Sequence, residues 1–87
     1  MTKYISLKQL LDYRARSRSS HYRDIEQGLF TKPVKIGTRS VVWPVLELEI
    51  LTAARVAGCP EKEIKQLVER LHFQRKEAYA EIAGGVL

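Results

Sequence analysis

The sequence is poor in the residues on which enzymes and disulfide-bonded mini-proteins depend. Its one cysteine, Cys59, excludes an internal disulfide framework and a multi-cysteine zinc site. Its two histidines, His21 and His72, have no neighbouring Asp or Cys at a recognisable motif spacing, so no catalytic residue and no metal ligand set is expected. His21 is expected along the rim of a helix, against the core or near phosphate. Cys59, just before Pro60, reads as a cap or core residue. No glycine-rich phosphate loop occurs, because Gly84-Gly85 does not resemble one, and no cofactor is expected. No apolar run approaches the length a bilayer needs, and no apolar stretch follows leading basic residues. Neither a membrane span nor a signal peptide is expected. Eighty-seven residues also bury only roughly 60% of the surface that the unfolded chain exposes, which leaves a thin core. That argues against a self-contained enzyme with a deep pocket and favours a small binding module.

What is present is positive charge, unevenly placed. The hydrophobic fraction of 45% and charged fraction of 29% are those of a globular chain, with a net charge of +5. Up to Trp43 the basic residues are Lys3, Lys8, Arg14, Arg16, Arg18, Arg23, Lys32, Lys35 and Arg39. Only Asp12, Asp24 and Glu26 oppose them, an excess of six. From Pro44 onward six basic residues face seven acids. The first half therefore carries all of the net charge and reads as a polyanion-binding half, with a solvated surface that happens to be basic as the plainer alternative; the second has another task. The chain is read as a soluble, cytoplasmic protein.

Local signals divide the first half. Ser6 and Gln9 form a capping-box pattern ahead of Leu7, Leu10 and Leu11, which predicts a helix over about Leu7 to Tyr13. Arg14-Ala15-Arg16 reads as a turn. Ser17 is an N-cap for a second helix from Arg18 to Gln27, with Gly28 as its left-handed closing residue. Tyr22, Ile25 and Leu29 form its apolar stripe; Ser19, Arg23 and Glu26 lie opposite, flanked by Arg18 and Ser20. Two short helices around a tight turn match a helix-turn-helix, in which the start of the second helix meets base edges. An ordinary helical hairpin is the plainer alternative.

The periodicity then changes to two. Val34 and Ile36 precede Gly37-Thr38, and Val41 and Trp43 follow, which predicts a hairpin of about Val34–Ile36 and Ser40–Trp43 with Gly37 at positive φ. Lys35, Thr38 and Arg39 decorate it as a basic wing. Val34, Ile36, Val41 and Trp43 are expected to pack on the helices. Pro44 suits the first turn of a helix running to about Val56 and closed by Gly58. A last helix begins after Pro60 with Ile64, Leu67, Val68, Leu71, Ala78 and Ile82 at helical spacing, a stripe that weakens at Gln74 and Arg75. Gly84-Gly85 is expected to fray.

The residues Ser17-Arg18-Ser19-Ser20, Tyr22-Arg23, Gly28, Phe30, Lys32 to Gly37, Arg39-Ser40, Trp43 and Glu47-Leu48 stand in an order that resembles the AlpA family of prophage regulators. These are small winged-helix proteins distantly similar to the MerR and excisionase DNA-binding domains. The resemblance covers roughly Tyr4 to Ala54. It implies sequence-specific binding of double-stranded DNA, by an activator, a repressor or an excision factor for an integrase. The chain departs from the family pattern in places. Ala15 and Arg16 stand where a Gly and an apolar residue are usual, His21 replaces an apolar residue, Thr31 replaces a Pro, and Leu51 stands at the place of a frequent Trp.

The resulting expectation is a mostly α fold with a small β-hairpin: a winged helix-turn-helix over residues 1–57, followed by a C-terminal helix within 58–87 for core packing or dimerisation. The helix 18–27 reads the major groove and the hairpin 34–43 touches backbone or minor groove. Arg18, Ser19 and Arg23 are the candidates for base contacts, and Ser20 for a phosphate. Lys35, Thr38 and Arg39 on the wing, with Lys32, Arg14 and Arg16, hold the backbone. The partner is double-stranded DNA, with the protein nucleoid-associated. A homodimer through the helix 61–82, an integrase and RNA polymerase are further candidate partners. The rival reading is a protein-interaction adaptor with weak DNA affinity.

Overall fold

The computed structural model describes residues 3–85. Its order is β1 (Tyr4–Ser6), α1 (Leu7–Arg14), α2 (Arg18–Glu26), β2 (Val34–Lys35), β3 (Val41–Pro44), α3 (Val45–Val56) and α4 (Glu61–Gly84). The fold is mostly helical with a small three-stranded antiparallel sheet, a helix-turn-helix and wing followed by a C-terminal helix.

Both sequence-legible caps form. The Ser6 Oγ accepts from the Gln9 N–H at 3.3 Å, and the Gln9 Oε1 accepts from the Ser6 N–H at 3.3 Å, so two otherwise orphaned donors at the start of α1 are satisfied. Ser17 caps α2 through the Ser20 N–H at 3.2 Å. Gln27 closes α2, and Gly28 follows with φ 75°, a conformation that a side chain would strain. Pro44 ends β3 and is the N-cap of α3, one position earlier than expected. Helix α4 runs on through Gly84.

The sheet has one strand more than the hairpin expected from the sequence. Strand β1 pairs with β3 in the register Tyr4↔Pro44, Ile5↔Trp43 and Ser6↔Val42. On its other side β3 pairs with β2, Val34 opposite Val42 and Lys35 opposite Val41. Strand β3 is thus central, and the wing is anchored by a strand from the start of the chain. Gly37 does not take a positive φ. The Ile36 N–H bonds to the Ser40 carbonyl at 3.0 Å across three intervening residues, and a loop of that length has no need of the two-residue primed turn. Ile36 is exposed rather than packed, because β2 ends at Lys35 and the alternation ends with it.

Trp43 is fully buried at the centre, with Leu10, Leu29, Phe30, Leu48 and Leu51 around it. Its indole N–H donates to the Thr31 carbonyl at 2.8 Å, so its polar atom is satisfied inside the core. Ile64, Val68 and Leu71 of α4 join the same cluster. The remainder of the α4 stripe, toward Tyr79 and Ile82, extends past the core and is exposed.

Two side chains fasten α4 to the winged unit. Arg75 grips the buried Glu47 through Nε at 2.7 Å and Nη2 at 2.6 Å, and Nη2 also donates to the Lys32 carbonyl at 2.8 Å. The His72 Nε2 accepts from the Lys32 N–H at 3.0 Å. Burial pulls the His72 pKa below its ordinary value, with Arg75 adding to the shift, so the ring is held in the neutral form that this bond requires.

Candidate nucleic-acid interface

The turn between α1 and α2 is built around an unusual backbone. Ala15 closes α1 at φ 53° and ψ 39°, the left-handed region that an alanine enters at a cost of about 1–2 kcal/mol. The left-handed residue swings the chain so that Arg14 and Arg16, on either side of it, converge on one carboxylate of α2. Arg14 Nη2 meets Asp24 Oδ2 at 3.0 Å. Arg16 binds the same carboxylate with two bonds, Nε to Oδ2 at 3.1 Å and Nη2 to Oδ1 at 2.7 Å.

Asp24 is 4% exposed. Burial alone would raise its pKa, but the hydrogen bonds from Arg16 and Arg14 outweigh that and hold it below the ordinary carboxylate value. Arg14 is lowered too, in its case by burial, with Asp24 resisting the shift. Its guanidinium carbon lies 4.2 Å from the centre of the Phe30 ring.

Arg14 also fixes the state of His21. Its Nη1 lies 2.7 Å from His21 Nδ1, so Nδ1 accepts and the proton resides on Nε2. His21 has no exposed surface and meets Tyr22, Phe30 and Trp43 edge-to-face, with ring centres 5.4, 5.1 and 5.0 Å away. Burial, with the nearby Arg14 charge, lowers its pKa to about 4. A neutral His21 thus fills a slot in the aromatic core. Its Nε2 and the Thr31 Oγ1 are buried without hydrogen-bond partners among the described residues.

The other candidate residues face solvent. Arg18, Ser19 and Arg23 are exposed on α2, and Ser20 is half-buried, its Oγ accepting from the Ser17 hydroxyl at 2.9 Å. Lys32, Lys35, Thr38 and Arg39 are exposed on and beside the hairpin. Among the described residues the ion pairs are Arg14–Asp24, Arg16–Asp24 and Arg75–Glu47. Arg18, Arg23, Lys32, Lys35 and Arg39 therefore carry unpaired charge. Arg14 differs from them: its side chain is 11% exposed and turned inward, whereas that of Arg16 keeps 42% of its surface.

Asp24, Glu47, His72 and Arg75 were not singled out as polar partners by the sequence pattern. The one available signal for Asp24 was its place in α2 on the turn facing the two arginines that flank Ala15.

Among the described residues no helix is long and apolar enough to cross a membrane. No curated protein and no solved structure matches the chain. Residues 3–56, which carry the sheet and the first three helices, match the family model described as prophage CP4-57 regulatory protein (AlpA), and the chain belongs to this family of prophage regulatory, DNA-binding helix-turn-helix proteins.

Proposed function

We propose that the protein binds double-stranded DNA sequence-specifically, with α2 in the major groove and the β2–β3 hairpin against the backbone or minor groove. The family is a regulatory one and not an enzyme family. The observation that carries the reading is the fate of one acid, Asp24, against the exposed cations. Asp24 is turned inward onto Arg14 and Arg16, while Arg18, Arg23, Lys32, Lys35 and Arg39 remain exposed and have no ion pair among the described residues. Folding thus removes Asp24 from the surface and leaves five cations there, with Asp12 and Glu26 as the exposed acids of the same half. Arg18, Ser19 and Arg23 are the base-contact candidates, at and after the helix start where such residues meet base edges. Ser20, Lys32, Lys35, Thr38, Arg39 and Arg16 are the backbone candidates. Arg14 acts from behind, by fixing the angle between α1 and α2.

With about five phosphates neutralised, the logarithm of the affinity should fall against that of salt concentration with a slope near −4 to −5. Arg18→Ala should relax sequence preference, and Lys35→Ala should weaken all duplexes alike. A flat salt response would refute DNA binding, and equal effects of the two substitutions on specificity would refute the assignment of roles. Flow-through on a duplex column at physiological salt would favour the adaptor reading instead. An excision factor would use the same reading helix at a recombination site beside an integrase, whereas a transcriptional regulator acts at a promoter beside RNA polymerase. Sites selected from random duplexes give the motif, whose occurrence at a promoter or at a recombination site then distinguishes the two; on either reading the protein resides on the bacterial nucleoid. A homodimer through the helix 61–82 would have to form on its distal part, at Tyr79 and Ile82, because Ile64, Val68 and Leu71 lie in the core.

A further inference from the structure

Between the end of α1, α2 and α3 lies a half-open cavity of about 330 Å³. Its lining contains three arginines, Arg14, Arg16 and Arg55, and a single acid, Asp24. Both oxygens of Asp24 are already engaged by Arg14 and Arg16. Arg55, in the last turn of α3, is exposed and has no ion pair among the described residues. It is close enough to Arg14 for its charge to bear on it. The lining thus holds two positive charges more than negative ones. Below them, Leu29, Phe30 and Leu51 are buried core residues that also face the cavity.

A cationic rim over an apolar floor selects for a ligand with both features. A volume near the lower end of the range for small-molecule sites, about 300–1,000 Å³, suits a single ring or short chain with one anionic group. A phosphate of a duplex backbone could meet the rim, but it carries no apolar body to cover Leu29 and Leu51. We propose that this cavity is a binding site for a small organic anion, its carboxylate or phosphate held by Arg55 and Arg16 and its apolar body seated on Leu29 and Leu51. Guanidinium groups suit this task because their planar donors match both kinds of oxyanion. The site adjoins Asp24 on α2, so its occupant shares Arg16 with the reading helix.

Phenyl phosphate is a suitable probe, with inorganic phosphate as its control. Titrated into the full chain without DNA, and followed by the backbone amide resonances of Leu29, Leu51 and Thr52, it should give saturable shifts. Its affinity should exceed that of inorganic phosphate by about tenfold, and Arg55→Gln should weaken it by about tenfold. Arg18→Gln, outside the cavity, should leave it unchanged. Arg55 is exposed, so an otherwise unaltered amide spectrum checks that its variant is folded. The proposal is overturned by an absence of saturation, by equal affinity for the two probes, or by an Arg55→Gln variant that binds as the parent does. It is also overturned if phenyl phosphate fails to bind while Arg55→Gln weakens duplex binding, since the charge then serves a DNA phosphate. The phenyl phosphate titration itself contains no DNA, and duplex binding is measured separately, so failure of the first and failure of the DNA-binding reading are separate events.

Discussion

The two buried carboxylates among the described residues, Asp24 and Glu47, are held in opposite ways. Asp24 takes two arginines from a turn eight to ten residues earlier in the chain, and the cluster around it is overloaded with positive charge. Glu47 takes one arginine from 28 residues away, and that arginine also caps a backbone carbonyl. The first cluster is local and sets the geometry of the helix-turn-helix. The second is tertiary and sets where α4 lies. The difference separates a part of the fold that defines the binding unit from a part that braces it. In both, a buried carboxylate is tolerated only because arginine satisfies it.

The largest effect is expected at the local cluster. Asp24→Asn leaves the nearly buried Arg14 beside Arg16 with no anion between them. Removing one partner of a buried pair costs about 3–5 kcal/mol. In a domain of this size that lowers Tm by at least about 12 °C in a calorimetric or circular-dichroism melt. A variant that melts within a few degrees of the parent would show that the cluster is ornamental.

Acid should attack the same region next. The folded-state pKa of His21 is lowered, so the fold favours the neutral ring. Above the ordinary value of 6.5 neither state binds the proton, and His21 gives stability no pH dependence there. As pH falls below 6.5 the unfolded chain takes up the proton first, and stability is lost until about pH 4, where the folded ring protonates as well. The integrated loss is about 3 kcal/mol. His72 is shifted in the same direction and steepens the decline. Asp24, with its pKa lowered, adds a further loss only below its ordinary 3.8. Urea unfolding at a series of pH values measures the slope, and His21→Leu should flatten it between pH 6.5 and 4. An unchanged slope in that variant would assign the acid sensitivity elsewhere.

The comparison also explains what was legible in the sequence. Helices α1 and α2 with their Ser6 and Ser17 caps, Gly28, and the burial of Trp43 follow from signals within a few residues of each other. Strand β1 does not. Three residues are too few to show a period, and its partner β3 lies almost forty residues on. Ile36 had the right alternation but β2 stops before it. Among the polar residues, Asp24 looks like any surface acid until the left-handed Ala15 brings Arg14 and Arg16 round to it. Arg75 looked like a flaw in the apolar stripe of α4, because nothing near it in sequence reveals Glu47 and the Lys32 carbonyl as its partners. The exposed candidates Arg18, Arg23, Lys35 and Arg39 were legible from charge alone, since exposure is the ordinary state of an arginine or lysine.

The tertiary cluster should give a smaller loss than the local one. Arg75→Gln removes two bonds to Glu47 and one to the Lys32 carbonyl, but the Arg75 side chain is 25% exposed, so water can reach part of the site it vacates. A loss of about 2 kcal/mol is expected by chemical denaturation. Affinity for DNA should change less than stability, because α2 and the β2–β3 hairpin are not in this contact and Lys32 enters it only through its backbone carbonyl. A loss equal to that of Asp24→Asn would erase the distinction between a defining cluster and a bracing one.

The smallest effect should be a gain, and it bears most directly on how the local cluster works. Ala15→Gly removes the strain of a left-handed alanine but adds freedom to the unfolded chain, and the balance is a stabilisation of about 0.5–1 kcal/mol. A loss of stability would mean that the left-handed turn does not persist in solution. The gain should also depend on Asp24. If the arginines on either side of Ala15 hold the turn in place by gripping that carboxylate, Asp24→Asn lets the turn relax toward a conformation an alanine tolerates. Glycine then has less strain to relieve. A double-mutant cycle should therefore show coupling of at least about 0.5 kcal/mol between the two positions, even though no bond joins them. Strict additivity would mean that the backbone of the turn is set by α1 and the Ser17 cap alone, and that Asp24 only neutralises arginines already in place.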